Sequence, residues 1–351
     1  MKEAASSMVT RCACLKKGFN VVIICGRHNR AFAEDLMLEC YAEHAFPHLW
    51  MFDEILIKNA QKIAKDAGTE LPRHVRSLLA NSDLVIWLTQ FENPRDALTE
   101  LGTAVCSYWD QVDEALKGRP LLSVNSLSER CLNTMDINYK KFLAAFANAV
   151  NVDYDKIKQT GLALFECLRK KEIIEITTPE GTDLTFSIKG RRVGIETGTL
   201  EECFSTGKEC DVEIPAGEVY VAPLENSAYG MLVIDEVRGF GIRKLKMGFH
   251  KGRIASFEAE KGRASFKRSL DKAQGQKDRI AEFGMGINYG MKPIGLRIFD
   301  EKALGTVHVA IGNNVHLGGI NEASIHIDFI LHKPTVKADK GIIMEDGKVI
   351  Q

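Results

Sequence analysis

The first half of the chain alternates continuous apolar stretches with segments of helical spacing. Residues 54–68, EILIKNAQKIAKDAG, illustrate the helical spacing. Apolar strands that alternate with helices are typical of a parallel sheet covered on both faces. The chain lacks the three-glycine dinucleotide motif and a GK[ST] phosphate loop, which argues against the common nucleotide sites of such domains. The predicted buried strands are 18–25, 48–53, 82–90 and 119–124.

A long helical stretch, at about 134–171, connects this half to a region of different texture. From about residue 172, short segments rich in β-branched or aromatic residues follow one another and are separated by glycines. One helical segment, at about 264–280, interrupts them. The pattern predicts an α/β fold class, with a parallel-sheet α/β domain over 1–170 and a β-rich α+β domain over 171–351. The predicted strands of the second domain are 173–178, 183–190, 217–223, 230–236, 252–260, 296–300, 307–312 and 324–331.

The charge balance argues against a polyanionic partner. The 351-residue chain has 46 Lys and Arg against 47 Asp and Glu, and its net charge of −1 gives no overall field for nucleic acid. We interpret the basic run 243–253 as the solvated face of an edge strand. No apolar stretch has the length of a membrane span or a signal-peptide core, so we expect a cytoplasmic protein. The nine cysteines are odd in number and scattered, and we expect reduced thiols.

The segment 323–331, ASIHIDFIL, places an imidazole and a carboxylate in an apolar strand. Side chains alternate along a strand, so His326 and Asp328 share one face, roughly 6.6 Å apart along the backbone. A buried carboxylate is costly unless it is paired or binds a metal. Two interpretations follow: a neutral core histidine hydrogen-bonded to the aspartate, or two ligands of a metal site that needs further donors.

Three further donors stand in apolar segments of the same half. They are Glu218 in IPAGEVYVAP, Glu282 in IAEFGMGIN and His308 in TVHVAIGNN. Because buried charges need partners, the whole set favours a metal site over isolated core groups. Two imidazoles and three carboxylates suit one or two divalent ions such as zinc, cobalt or manganese. Two ions need a bridging carboxylate, and Glu282 and Asp328 are the candidates.

Five segments carry a resemblance to a known family: 181–191, 214–223, 280–288, 305–314 and 318–331. Together they resemble the thermophilic aminopeptidases, a family of leucyl aminopeptidases with a dinuclear metal site. The resemblance implies that Glu218, Glu282, His308, His326 and Asp328 are the ligands, that a metal-activated water hydrolyses peptides at the N-terminus, and that the chain forms a homodimer.

The chain departs from the family pattern at two places. Gly217 precedes Glu218 where the family has a second glutamate, and Val315 stands where the family has a tyrosine close to the metals. His316, next to Val315, is either a replacement for that tyrosine or an exposed loop residue. Glu282, as a ligand that could also accept a proton, and His316 are therefore the candidate catalytic residues.

Asp183 and Arg191, in GTDLTFSIKGR, are candidate substrate-binding residues. Their alternative interpretation is a surface turn and an edge-strand charge.

Two other functions remain open from the sequence. Ring-cleaving dioxygenases that act on dihydroxypyridine resemble this chain in length and in the segment 223–235, and they hold one ferrous ion. Their pattern has a histidine where this chain has Glu282 and a serine where it has Ala310. Those differences favour a hydrolase over a dioxygenase, whereas Val315 in place of the family tyrosine weakens the case for a hydrolase. A relative without catalytic activity, whose metal only stabilises the domain, is the third possibility.

Overall fold

A computed structural model describes residues 1–52, 63–64, 70–88, 111–112, 114–206, 211–238 and 241–350. The helix predicted over 54–68 lies almost entirely outside these residues, and so do the last residues of the strands expected to reach 53 and 90. The described part is a mixed α/β fold with one parallel and two antiparallel sheets, which confirms the predicted fold class. The strands are β1 Asn20–Cys25, β2 Phe46–Met51, β3 Leu84–Leu88, β4 Leu121–Val124, β5 Ile173–Thr177, β6 Asp183–Ser187, β7 Val193–Glu196, β8 Asp211–Ile214, β9 Glu218–Val221, β10 Tyr229–Val237, β11 Ile242–His250, β12 Arg253–Glu258, β13 Ile280–Gly286, β14 Val307–Gly312, β15 His326–Leu331, β16 Thr335–Ala338, β17 Gly341–Glu345 and β18 Lys348–Val349.

The helices are shorter than the sequence pattern suggests. No helix among the described residues is long and apolar enough to cross a membrane. The α-helices are Lys2–Ser7, Arg30–Ala42, Arg73–Ala80, Glu129–Asn133, Tyr139–Val150, Tyr154–Leu168, Glu201–Thr206, Arg263–Lys272 and Arg297–Asp300, with a π-helix at Met8–Cys12 and a 3₁₀ turn at Val315–Leu317.

The chain forms two compact units, and one of them is discontinuous in sequence. The N-terminal unit comprises Met1–Asn151 and Gly198–Ala216, and the C-terminal unit comprises Val152–Thr197 and Gly217–Gln351. The sequence led us to expect a single boundary near residue 170. The chain instead crosses at residue 151 and returns to the first unit, because β8 pairs in parallel with β4.

The N-terminal unit is built on a five-stranded parallel sheet with the order β2-β1-β3-β4-β8. Strands β1 and β3 are buried almost throughout, as expected for the interior of a parallel sheet, whereas β2 lies at an edge and is largely exposed. All four strands predicted for this half are present, and β8 is a fifth strand that the pattern did not predict.

The stretch 134–171 is two helices rather than one. A helix ends at Val150, and the next begins at Tyr154 in the other unit. The carboxylate of Asp153 accepts hydrogen bonds from the backbone N–H of Asp155 and Lys156, at 3.0 and 3.3 Å. An N-cap of this kind starts a new helix, so the break has a local cause in the sequence.

The C-terminal unit contains two antiparallel sheets. One has eight strands in the order β12-β11-β10-β6-β5-β16-β17-β18, and the other has five in the order β15-β14-β13-β9-β7. Aromatic side chains of the core join strands of different sheets: the ring centroids of Phe186 on β6 and Phe283 on β13 lie 5.5 Å apart. The five-stranded sheet carries the polar residues of the candidate site.

Two expectations for individual elements in this unit are corrected. Residues 296–300, predicted as a strand, contain the helix Arg297–Asp300, because the Asp300 carboxylate accepts hydrogen bonds from the backbone N–H of Ile294 and Gly295 and closes a turn. The basic run begins on β11, which lies between β10 and β12 and is not an edge strand.

The expectation of reduced thiols is corrected at one position. Cys203 is disulfide-bonded, whereas the free cysteines among the described residues are Cys12, Cys14, Cys25, Cys40, Cys131 and Cys167. The remaining cysteines, Cys106 and Cys210, lie outside the described residues.

Candidate metal centre

All five predicted ligands project from one face of the five-stranded sheet. The strand register places Glu282 on β13, Ala310 on β14 and Asp328 on β15 side by side in one row. His308 precedes Ala310 by two residues and His326 precedes Asp328 by two, so alternation puts both imidazoles on the face of the two carboxylates. The small side chain of Ala310 separates Glu282 from Asp328, which leaves space between them.

Glycines on β13 leave room for two further predicted ligands, His308 and Glu218. Gly284 lies opposite His308, and a Cβ atom there would overlap with the imidazole ring. Gly286 lies opposite Glu218, the first residue of β9. Since neither position carries a side chain, the ring of His308 lies directly on the sheet next to the carboxylate of Glu218.

The five side chains form two donor groups that share Glu282. The first contains Glu218, Glu282 and His308, the second contains Glu282, His326 and Asp328, and the donor atoms of each group lie within 4.8 Å of one another. His308 Nε2 lies 3.4 Å from Glu282 Oε1 and 3.5 Å from Glu218 Oε2. His326 Nε2 lies 3.1 Å from both Glu282 Oε2 and Asp328 Oδ1. Each oxygen of Glu282 therefore faces a different group.

Burial and charge act in opposite directions on these side chains. Burial disfavours the ionised carboxylate of Glu282, but hydrogen bonds with His308 and His326 outweigh it and lower the pKa to about 2. The pKa of Asp328 is also lowered, since His326 and Arg297 outweigh its burial. Burial disfavours the imidazolium forms too, yet the carboxylates raise the pKa of His308 to about 9 and that of His326 to about 11. Without a metal, protonated histidines compensate the acids.

The residues present fit a divalent metal centre. His308 and His326 each direct Nε2 at two carboxylates, so two imidazoles and three carboxylates converge as a donor set that suits divalent ions. A divalent ion would supply the positive charge that the two protonated histidines supply in its absence. The interpretation of His326 as a neutral core histidine is the weaker one, because its ring contacts two carboxylates rather than one.

Four charged residues around the ligands were missed by the sequence reasoning. Lys302 Nζ donates to Glu218 Oε1 at 2.8 Å and to Glu196 Oε2 at 2.7 Å. Arg297 donates to Asp328 Oδ2 and lies 3.8 Å from Glu301. None of the four gave a usable signal in the sequence, because charged residues in or after a short helix and at the end of a strand are normally solvated.

The structure places His316 beside the site. Its ring centroid lies 5.6 Å from that of His326 in an edge-on arrangement, and the residue is exposed. Val315, at the position of the family tyrosine, is also exposed. The loop that carries both residues is held by Glu225, which accepts a hydrogen bond from the backbone N–H of Ile320 at 2.8 Å.

Arg191 and Asp183 are not members of the two donor groups. Arg191 donates to Glu225 and to the backbone oxygen of Gly318, so it anchors the loop that carries His316. Asp183 is exposed at the start of β6, on the eight-stranded sheet.

With this geometry established, the profile of the thermophilic metalloprotease family (M29) matches residues 148–349, more than half of the chain. The chain belongs to the M29 family of thermophilic metalloproteases. Family membership makes it a metal-dependent hydrolase of peptide bonds, and the matched region contains both donor groups. No curated protein sequence matches the chain.

Two solved structures share the fold of this M29 chain. Wild-type AmpT from Thermus thermophilus aligns with a TM-score of 0.74 and 18% identity, over 100% of this chain and 99% of that one. The 2,5-dihydroxypyridine dioxygenase from Pseudomonas putida KT2440 aligns with a TM-score of 0.68 and 15% identity, over 99% of this chain and 96% of that one. At these identities the alignments establish the fold alone.

Proposed function

We propose that this M29 metalloprotease is an aminopeptidase that removes N-terminal residues, leucine among them, from peptides. The observation that carries the proposal is the position of Glu282. One of its oxygens faces His308 and the other faces His326, which is the arrangement expected of a carboxylate shared by two divalent ions. Zinc, cobalt and manganese are the proposed metals.

The five ligands have distinct parts in this proposal. Bound divalent ions would polarise the scissile carbonyl and lower the pKa of a bound water. Glu218 and His308 hold one end of the site, His326 and Asp328 hold the other, and Glu282 spans both. Glu282 is also the proposed proton acceptor.

The exposed loop next to the second donor group supplies the proposed substrate contacts. His316 stands beside His326 at the solvent side of the site, where an imidazole can donate to or accept from a peptide group. We propose that His316 assists catalysis and that Arg191, through its hydrogen bond to Gly318, keeps the loop in place. Asp183 is proposed as a substrate contact because it lies in the segment 181–191, one of those that resemble the family.

The test is metal-dependent release of an N-terminal residue. Metal-stripped protein is supplied with zinc, cobalt or manganese, and cleavage of leucyl and other aminoacyl anilides is followed by absorbance. We expect turnover with at least one metal, and loss of turnover together with loss of bound metal in Glu282→Gln. Glu345→Gln, an exposed acid of β17, is the control and should behave as the wild type. Absence of cleavage with every metal and every aminoacyl group would refute the aminopeptidase proposal.

A ring-cleaving dioxygenase with one ferrous ion is the second candidate. Its support is the shared fold, with a TM-score of 0.68. The donor set argues against it, because three carboxylates and two imidazoles in two groups exceed what one ferrous ion needs. Oxygen uptake with a dihydroxylated pyridine, dependent on ferrous iron, would favour this candidate.

We also propose that the protein is a homodimer, which light scattering of the purified protein would test.

A further inference from the structure

Two acidic residues face each other across neighbouring strands next to the first donor group. Glu196 on β7 and Glu218 on β9 are direct partners in the antiparallel register. Like charges directly opposite each other destabilise a strand pair. Their carboxylates are separated by the ammonium group of Lys302, which lies 2.7 Å from Glu196 Oε2 and 2.8 Å from Glu218 Oε1. The side chain of Lys302 is only 2% exposed.

The backbone around Lys302 is fixed against the strand that faces Glu218. Gly286, the partner of Glu218 on β13, has no side chain, and a Cβ there would lie 2.7 Å from the carbonyl carbon of Lys302. The backbone N–H of Asn288 donates to the Lys302 carbonyl at 2.9 Å. The backbone of Lys302 therefore lies directly over β13. Because this backbone is held in place, the position from which the ammonium group reaches Glu218 is also fixed.

The two oxygens of Glu218 have different partners as a result. Oε1 accepts from Lys302, and Oε2 points to His308 at 3.5 Å. We propose that Lys302 is a positioning residue that occupies Oε1 of Glu218 and thereby restricts Glu218 to coordination of a divalent ion through Oε2 alone. This inference rests on the metal centre of the proposed function and adds a residue that sets how one ligand binds.

A basic residue also bonds to a carboxylate of the second donor group, but it is more exposed to solvent than Lys302. Arg297 donates to Asp328 Oδ2, while Asp328 Oδ1 faces His326. The side chain of Arg297 is 37% exposed, against 2% for Lys302. Of these two carboxylates, Glu218 is therefore the one with an oxygen, Oε1, bonded to a buried cation. Replacing Lys302 would leave that oxygen without its ammonium partner inside the protein.

The test uses the visible absorption of bound Co²⁺, which weakens when the coordination number of the ion rises. The full-length protein is stripped of metal and titrated with Co²⁺, and absorption per bound ion is compared among three chains. Glu196→Gln keeps Lys302 on Glu218 and should resemble the wild type. Glu196→Gln combined with Lys302→Met removes one negative and one positive charge. It should lose absorption per bound ion, because Glu218 can then bind through both oxygens.

Lys302→Met alone is the second variant, in case the combined variant does not fold. The side chain of Glu196 is 15% exposed, so its carboxylate is already in part solvated when Lys302 is replaced. The same loss of absorption per bound ion is expected. Wild-type absorption per bound ion in a folded variant without Lys302 would overturn the proposal, and so would a wild-type protein that binds no Co²⁺. The measurement uses no substrate, so a failure of peptide cleavage alone would count against the proposed function and not against the role of Lys302.

Discussion

Glu301 carries a buried oxygen, Oε2, that has no hydrogen-bond partner among the described residues. The pKa of Glu301 is raised to about 8, mainly by burial and then by the nearby carboxylate of Asp328, while Lys302 and Arg297 act in the opposite direction. The contact with Arg297, at 3.8 Å, does not offset the cost of burying this charge, so the folded chain favours the neutral acid. This residue therefore weakens the fold under conditions that ionise it.

The pH dependence of that cost gives a prediction. The folded pKa of Glu301 lies above its ordinary value of 4.5, so its destabilising effect builds up as the pH rises from about 4.5 to about 8 and is constant above. Glu301→Gln cannot ionise. In metal-free protein we expect it to be more stable than the wild type at pH 9, by roughly 1–3 kcal/mol, and equal to it at pH 4.

Thermal unfolding of both chains across this pH range measures the difference. Glu345→Gln, an exposed acid of the same unit, should show no such pH-dependent gain. A stability difference for Glu301→Gln that stays constant from pH 4 to pH 9 would contradict the assignment.

The convergence of the five predicted ligands could be predicted from the sequence, whereas their charged partners could not. His308 and Asp328 stand out because an ionisable side chain between apolar strand residues needs a partner wherever the strand lies. Lys302 gives no such signal, since a lysine after a helix or turn is normally solvated. Its burial follows from the chain crossing over Gly286, which only the three-dimensional strand register reveals.

At the level of elements, strand β13 is the most constrained part of the site. Every residue of Ile280–Gly286 is buried, and its glycines stand where other parts of the chain lie against the strand. Gly284 accommodates the ring of His308, and Gly286 accommodates the backbone of Lys302 and Ala303. The glycines are thus packing positions for the site rather than turn positions.

Gly284→Ala tests this interpretation of β13. The added Cβ would overlap with the imidazole of His308, so the ring must move away from Glu218 and Glu282. We expect a loss of bound metal per chain and a destabilisation of roughly 1–3 kcal/mol from overpacking. Metal analysis and thermal unfolding measure the two effects.

Gly341→Ala is the matched control for that substitution. Gly341 begins β17, and the nearest atom to an added Cβ is the Ala338 oxygen at 3.7 Å, an ordinary contact distance. This variant should keep its metal content and stability. Full metal content in Gly284→Ala would show that His308 does not need its present position.

Elements with a strong local signal were predicted well, and those set by distant contacts were not. Strands β1, β3 and β4 follow from continuous apolar runs. The break before Tyr154 and the helix Arg297–Asp300 depend on carboxylates that bond to nearby backbone groups, and a hydrophobic pattern does not register such bonds.

At the level of the whole molecule, the division into units depends on long-range pairing. Strand β8 joins the parallel sheet of the N-terminal unit, although the piece that contains it, Gly198–Ala216, lies in sequence between two segments of the other unit. No local pattern in Asp211–Ile214 distinguishes it from the strands around it, which is why the sequence suggested one boundary. The helix Tyr154–Leu168 likewise belongs to the C-terminal unit, where Gly161 packs against Ile195 and Ile287.

Because that helix belongs to the unit that contains all five proposed ligands, its packing and metal binding should affect the same unfolding transition. A Cβ at Gly161 would lie 2.7 Å from Ile195 Cγ2 and 3.1 Å from Ile287 Cδ1. Alanine gains up to about 1 kcal/mol over glycine in a helix, but overpacking costs roughly 1–3 kcal/mol, so we expect Gly161→Ala to be destabilising. Bound metal should raise the melting temperature of the transition that this variant lowers. Scanning calorimetry with and without metal measures both shifts, and the exposed Gln159→Ala should leave the transition unchanged. A metal-induced shift in one transition and a Gly161→Ala shift in another would separate the helix from the ligand-bearing unit.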